Sequence, residues 1–189
     1  MISNEYVYEV PEDKFSLDSS DIEYLEQLKE NRKDNAITYL EKADLVMNSG
    51  YLQWHLKHGT EEEKDKNNKF FLKIQKLFQF TTNNNTVEKI IDNLQLARVP
   101  GDLKIHVDYR SAILTIPLVD LTNPITFWSS RDEDKEILFQ YHYTKYKPLI
   151  VNTLVEHNVI NNDEDRIFLQ LGGFKLKDDE HFNTLVANV

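Results

Sequence analysis

The stretch PGDLKIHVDYRSAILTIPL, residues 100–118, reads as a turn followed by an alternating strand, and it places His106 and Asp108 side by side on one face. An imidazole and a carboxylate so placed are either two ligands of a metal or two solvated side chains. With six His and 32 acidic residues in 189, roughly one acid two positions after a His is expected by chance, and one is found. The pair therefore needs company. The segment LIVNTLVEHNVINNDEDRIFLQL supplies it, with His157 at the close of one strand and Arg166 at the opening of the next. Two imidazoles and one carboxylate form a facial triad that leaves positions on the ion open. A nearby guanidinium fork can hold a carboxylate by two charge-assisted hydrogen bonds.

The elements that must position these groups divide by period. YVYEV (6–10) alternates as a short strand ended by Pro11. Ser20 with Glu23 gives a capping-box pattern ahead of Ile22, Leu25 and Leu28, and Ile37, Leu40 and the group around Met47 continue a helical reading. Thr60 with Glu63 repeats the box before Phe70, Phe71, Ile74, Leu77 and Phe78, a core-packing stripe at helical spacing. Between them HGTEEEKDKNNK (58–69) reads as a solvated loop and first helical turn. TTNNN breaks the stripe, and Val87, Ile90, Ile91 and Leu94 mark a fourth, short helix. From Leu96 the period is two. Runs at 103–108, 112–118, 125–128, 136–143, 149–157 and 166–171 are rich in β-branched and aromatic residues, with turn signals and no helix-length segment between them. The expected class is α+β with a mainly β core: an antiparallel jelly roll over residues 96–189, preceded by supporting helices over 1–95, in a single domain.

Composition narrows the function. The hydrophobic fraction of 40% and only five Gly and five Pro exclude disordered and low-complexity classes. A net charge of −10 lacks the cationic stripe that a duplex binder needs, so nucleic acid is not an expected partner. The absence of Cys removes disulfide frameworks, thiolate zinc sites and cysteine nucleophiles. The first residues lack the basic and apolar regions of a signal peptide, and the longest apolar run, AILTIPLV, is far below the ~18–20 residues of a bilayer span. A soluble, cytoplasmic protein without a membrane partner is the expectation. The oligomeric state is not legible.

The ordered set of Pro100 and Gly101, His106-x-Asp108, His157 forty-nine residues after Asp108, and Arg166 nine residues after His157 resembles the 2-oxoglutarate/Fe(II)-dependent oxygenases, in their prolyl and aspartyl/asparaginyl hydroxylase-like branch. LVEHNVINNDEDR looks like that branch's distal-His segment, including its Asn after the hydrophobic pair. The resemblance covers roughly residues 95–173. It implies a double-stranded β-helix in which His106, Asp108 and His157 hold Fe(II), 2-oxoglutarate chelates the iron and reaches Arg166 with its far carboxylate, and O2 takes the last position. Halogenases of the family lack the carboxylate, so Asp108 favours hydroxylation with release of succinate and CO2. Thr115, Trp128 and Gln170 are expected to line the pocket, from strand alternation. The nearest-looking relatives act on amino-acid side chains, which implies a peptide, protein or free amino-acid substrate.

Other groups read plainly. His142, flanked by aromatics with no paired ligand, is a packed or half-exposed strand residue, while His55, His58 and His181 lie in helical or terminal polar surroundings and read as surface. Arg110 either touches substrate or bridges to an acid. A cupin-type isomerase would want H-x-H, and a zinc hydrolase a denser His cluster or H-E-x-x-H; neither occurs. The remaining rival is a non-catalytic jelly-roll binding or assembly protein.

Overall fold

A computed structural model describes residues 5–32, 37–38, 52–77, 94–99, 102–108, 112–160, 165–174, 182 and 186. The strands are β1 (Val7–Glu9), β2 (Ile37–Thr38), β3 (Leu52–His55), β4 (Leu94–Val99), β5 (Leu103–His106), β6 (Ala112–Pro117), β7 (Ile125–Trp128), β8 (Ile137–Tyr141), β9 (Leu149–Val151), β10 (His157–Val159) and β11 (Arg166–Phe174). Helices α1 (Ser19–Arg32), α2 (Glu61–Lys66) and α3 (Asn68–Leu77) lie among the early strands, with a 3-10 turn at Leu56–His58.

Two antiparallel sheets result, a major one ordered β1-β9-β6-β11-β4-β3-β2 and a minor one ordered β5-β10-β7-β8. From β4 to β7 and again from β8 to β11 each strand crosses to the other sheet, which is the jelly-roll connection anticipated from the period-two runs. The outer face of the major sheet, with Leu94, Leu96, Leu114, Ile116, Ile167 and Leu169, packs on Phe70, Phe71, Ile74 and Leu77 of α3 and on Leu25 and Leu28 of α1. The space between the sheets holds Val7, Ile125, Phe127, Tyr141, Leu149, Val151 and Val159. Each such aliphatic side chain contributes ~1.5–3 kcal/mol by leaving water.

Several local expectations change. Thr60 and Glu63 do form a reciprocal capping box on α2. On α1 the box lies two residues earlier than Ser20 and Glu23. Asp18 accepts from the backbone N–H of Ser20 and Asp21, and the Asp21 carboxylate accepts from the Asp18 N–H. Carboxylates win because Lys73 of α3 donates to both, so the cap also joins two helices. Ile37 is a strand residue paired with β3, not the continuation of a helix, and β3 itself had no sequence signal. Leu94 opens β4 rather than closing a helix, because its neighbour Leu171 offers a ladder partner. Residues 58–69, read as loop and first helical turn, hold the whole of α2. The expected strand 149–157 is two strands in different sheets, β9 and β10, parted by a turn at 152–156. His157 therefore opens a strand instead of closing one. TTNNN, most of the fourth helix, and Pro100, Gly101, Arg110 and His181 lie outside the described residues. Among the described residues no helix is long and apolar enough to cross a membrane.

Candidate metal centre

His106 ends β5 and His157 opens β10, and the antiparallel pairing sets them directly opposite each other. Their ring centroids lie 4.5 Å apart. The register slips between the two strands, with β5 using three steps from His106 to Leu103 where β10 uses two from His157 to Val159. A bulge of this kind re-aims side chains beside a site, and here both imidazoles end up buried at 7% and 5% exposure. His106 is thus turned inward although Lys104, two residues earlier, is exposed, which resolves the choice that the alternating strand left open.

The two imidazoles share one local device. His106 Nδ1 lies 2.6 Å from the Lys104 carbonyl and His157 Nδ1 lies 2.8 Å from the Val155 carbonyl, in each case two residues upstream. A carbonyl only accepts, so each Nδ1 carries the proton and each Nε2 keeps its lone pair, as a metal ligand must. Burial, then the neighbouring His106, pushes the His157 imidazole down to about 4, so it stays neutral near neutral pH. Asp108 is half-buried, its Oδ1 3.6 Å from His106 Nε2, and its backbone N–H donates to the Thr153 carbonyl at 2.9 Å. One ligand atom from each of His106, Asp108 and His157 falls within 4.8 Å of the others, the one such cluster among the described residues. Two imidazoles at facing strand ends and a carboxylate two residues past one of them fit a divalent non-haem metal.

Arg166 opens β11 with its side chain fully buried between the sheets. Its Nη2 donates to the carbonyls of Asn123 at 2.8 Å and Ile160 at 3.3 Å, and its Cζ sits 5.9 Å from the Tyr143 ring. Those contacts orient the fork and carry no formal charge. Ile160 follows the end of β10, three residues beyond His157, so the guanidinium is held by the segment that leaves the site-bearing strand. Phe168 follows Arg166 on the same face, also against Tyr143 at 5.2 Å, and strand alternation puts Gln170 there too.

Gln170 faces Gln95 of β4 on one side and Thr115 of β6 on the other, forming a polar row on the inner face of the major sheet. Gln95 Nε2 donates to Gln170 Oε1 at 3.4 Å, while buried Gln95 Oε1 has no hydrogen bond. Sequence reasoning missed Gln95 because it sits between Leu94 and Leu96 in a run without polar company. It also missed Tyr143, whose only signal was an aromatic in a strand-like run.

Trp128 is not part of this interior. Its Nε1–H donates to Asn158 Oδ1 at 2.8 Å, and Asn158, next to His157 on β10, points to the opposite face of the minor sheet. Lys135 lies over the Trp128 indole at 5.5 Å. Alternation in fact puts it there: Ile125 and Phe127 face the interior, so Thr126 and Trp128 face away, and Thr126 meets Gln140 on that outer side. His142 is exposed beyond the end of β8, with Nδ1 3.2 Å from the Thr122 carbonyl, and takes no part in the cluster. His55 lies in β3 and His58 in the 3-10 turn, not in an α-helix.

No family model matches the chain, and a search of curated proteins finds no relative. Solved structures do match. An oxidoreductase of the 2OG-Fe(II) oxygenase family from Burkholderia pseudomallei is 11% identical with a TM-score of 0.57, over 88% of this chain and 84% of that one. A prolyl hydroxylase from Trichoplax adhaerens, in complex with a peptide fragment of hypoxia inducible factor, is 12% identical with a TM-score of 0.55, over 95% and 87%. The non-heme alpha ketoglutarate dependent epimerase SnoN of nogalamycin biosynthesis is 12% identical with a TM-score of 0.53, over 82% and 73%. At these identities the likeness establishes the fold, a jelly roll shared with 2-oxoglutarate/Fe(II) oxygenases.

Proposed function

We propose that the chain is an Fe(II)- and 2-oxoglutarate-dependent dioxygenase that hydroxylates an amino-acid side chain, peptidyl or free. The observation that carries this reading is the convergence of His106, Asp108 and His157 with both Nδ1 atoms committed to carbonyls. Fe(II) bound there with 2-oxoglutarate and O2 would supply the oxidation: the keto acid loses CO2 and takes one oxygen atom of O2 to become succinate, and the other enters a substrate C–H bond. The chain's own residues bind and orient. His106 and His157 present Nε2, and Asp108 adds the negative charge that partly neutralises the ion. Arg166 receives the far carboxylate of 2-oxoglutarate in a buried, pre-oriented fork. Thr115, Gln170 and Gln95 line the facing wall. Phe127, 6.0 Å from His157, keeps water from the inner side of the site.

The peptide bound to the Trichoplax enzyme supports a peptidyl substrate, and the carboxylate ligand supports hydroxylation. SnoN, an epimerase on the same fold, shows that the fold alone does not select the outcome. The test is aerobic incubation of purified protein with Fe(II) and 2-oxoglutarate, following succinate, then adding candidate peptides and amino acids. Slow uncoupled turnover, raised by the correct substrate and abolished in His106→Ala, is expected. Succinate release no greater than in His106→Ala under every condition would leave a jelly-roll binding protein in its place.

A further inference from the structure

The turn that parts β9 from β10 is built around a buried amide. Asn152 is 1% exposed, and its Nδ2 donates to the Glu5 carbonyl at 2.9 Å while its Oδ1 accepts from the Leu154 N–H at 3.1 Å. Its own backbone N–H donates to the Tyr6 carbonyl at 2.9 Å. One side chain thus closes the turn locally and ties it to the segment entering β1. The carbonyls of that turn are the ones the metal centre uses: Thr153 accepts the Asp108 N–H, and Val155 accepts Nδ1–H of His157. A second path joins the same parts, since the Tyr6 ring lies 5.2 Å from Phe127, which in turn packs against His157.

We infer that Asn152 is a positioning residue for the metal centre, fixing the turn whose carbonyls aim Asp108 and His157 and taking its own reference from the amino-terminal strand. This rests on the metal-binding reading above. His106 provides an internal control, because its Nδ1 is held by Lys104 within β5 and not by the turn.

Two readouts test this: nitrogen-15 imidazole spectra of the metal-free protein, which report each histidine's tautomer, and titration with Mn(II) as the probe. In Asn152→Ala the single Nδ1–H tautomer of His157 is lost while that of His106 persists, and Mn(II) binding weakens about tenfold, the low end for a group behind the ligands. Asn152→Asp keeps the acceptor for Leu154 N–H but loses the donor to the Glu5 carbonyl, so the tie to the amino-terminal segment is cut and Mn(II) binding weakens here too. Asp21→Asn, at the α1 cap, lowers the melting temperature and changes neither readout. Should Asn152→Ala fail to fold, Asn152→Leu, with the same branching at Cγ and no polar atom, carries the same expectations. The inference is overturned if Ala or Leu lowers stability with tautomer and affinity unchanged, or if Asp binds Mn(II) as tightly as wild type. Wild-type protein that does not bind Mn(II) contradicts the metal reading instead, and the tautomer spectra, which need no metal, still judge Asn152.

Discussion

Both imidazoles of the cluster donate Nδ1–H to a carbonyl two residues upstream, and that repeated device sets the chemistry available at Nε2. A pH dependence follows from it. Folded His157 resists protonation down to about 4, whereas the unfolded chain protonates it near its ordinary 6.5. Between those values the unfolded state binds more protons, so the metal-free protein loses stability as pH falls through the window, by at most ~3 kcal/mol. Urea unfolding at several pH values should show this loss, and His157→Gln should flatten it; a wild-type midpoint independent of pH over that range would be contrary. Arg166 makes a different prediction. Replacing it by Met keeps bulk but removes charge-assisted bonds of ~1.5–3 kcal/mol, so 2-oxoglutarate binding in the presence of Mn(II) should weaken roughly 10- to 100-fold. Calorimetry with unchanged Mn(II) affinity is the expected picture, and unchanged 2-oxoglutarate affinity would remove Arg166 from the site.

At the scale of elements, the division of labour is between a helix-backed sheet and a site-bearing sheet. Ile74 of α3 is fully buried against the major sheet, and Ile74→Ala should cost ~2–5 kcal/mol in chemical denaturation while leaving Mn(II) affinity at wild type. A matching loss of metal affinity would mean that the helices shape the centre directly. The strands were legible where alternation was strong: β5, β6, β7 and β11 fall on the runs that the period-two pattern marked. It could not show that LIVNTLVEH contains a turn, because Asn152 and Thr153 interrupt an otherwise strand-like composition and their role lies in bonds to residues about 45 and 147 positions away. β2 and β3 were likewise hidden, since short strands at the end of a sheet gain their order from a partner, here β4, rather than from their own pattern. The triad was legible as types and spacing, and its inward orientation was not, because that depends on the β5–β10 register slip. Trp128 was misplaced because the run ITFW does not show which of its two faces is the inner one, and Ile125 and Phe127 take it.

Over the whole molecule, the β5–β10 pairing within the minor sheet brings together residues about 50 positions apart in sequence, and any ligand that binds only the assembled site must stabilise the fold. At 100 times its dissociation constant, Mn(II) with 2-oxoglutarate should add about 2.7 kcal/mol, which for a chain of this length raises the melting temperature by roughly 5–10 °C. The most direct measurement of the central claim is a calorimetric titration of Mn(II) into wild-type protein and into His157→Ala, both in the presence of 2-oxoglutarate. One site per chain in the wild type, lost in the variant while its circular dichroism stays that of the folded protein, is the predicted result. Equal binding by the two proteins, or none by either, would contradict a metal centre formed by His106, Asp108 and His157.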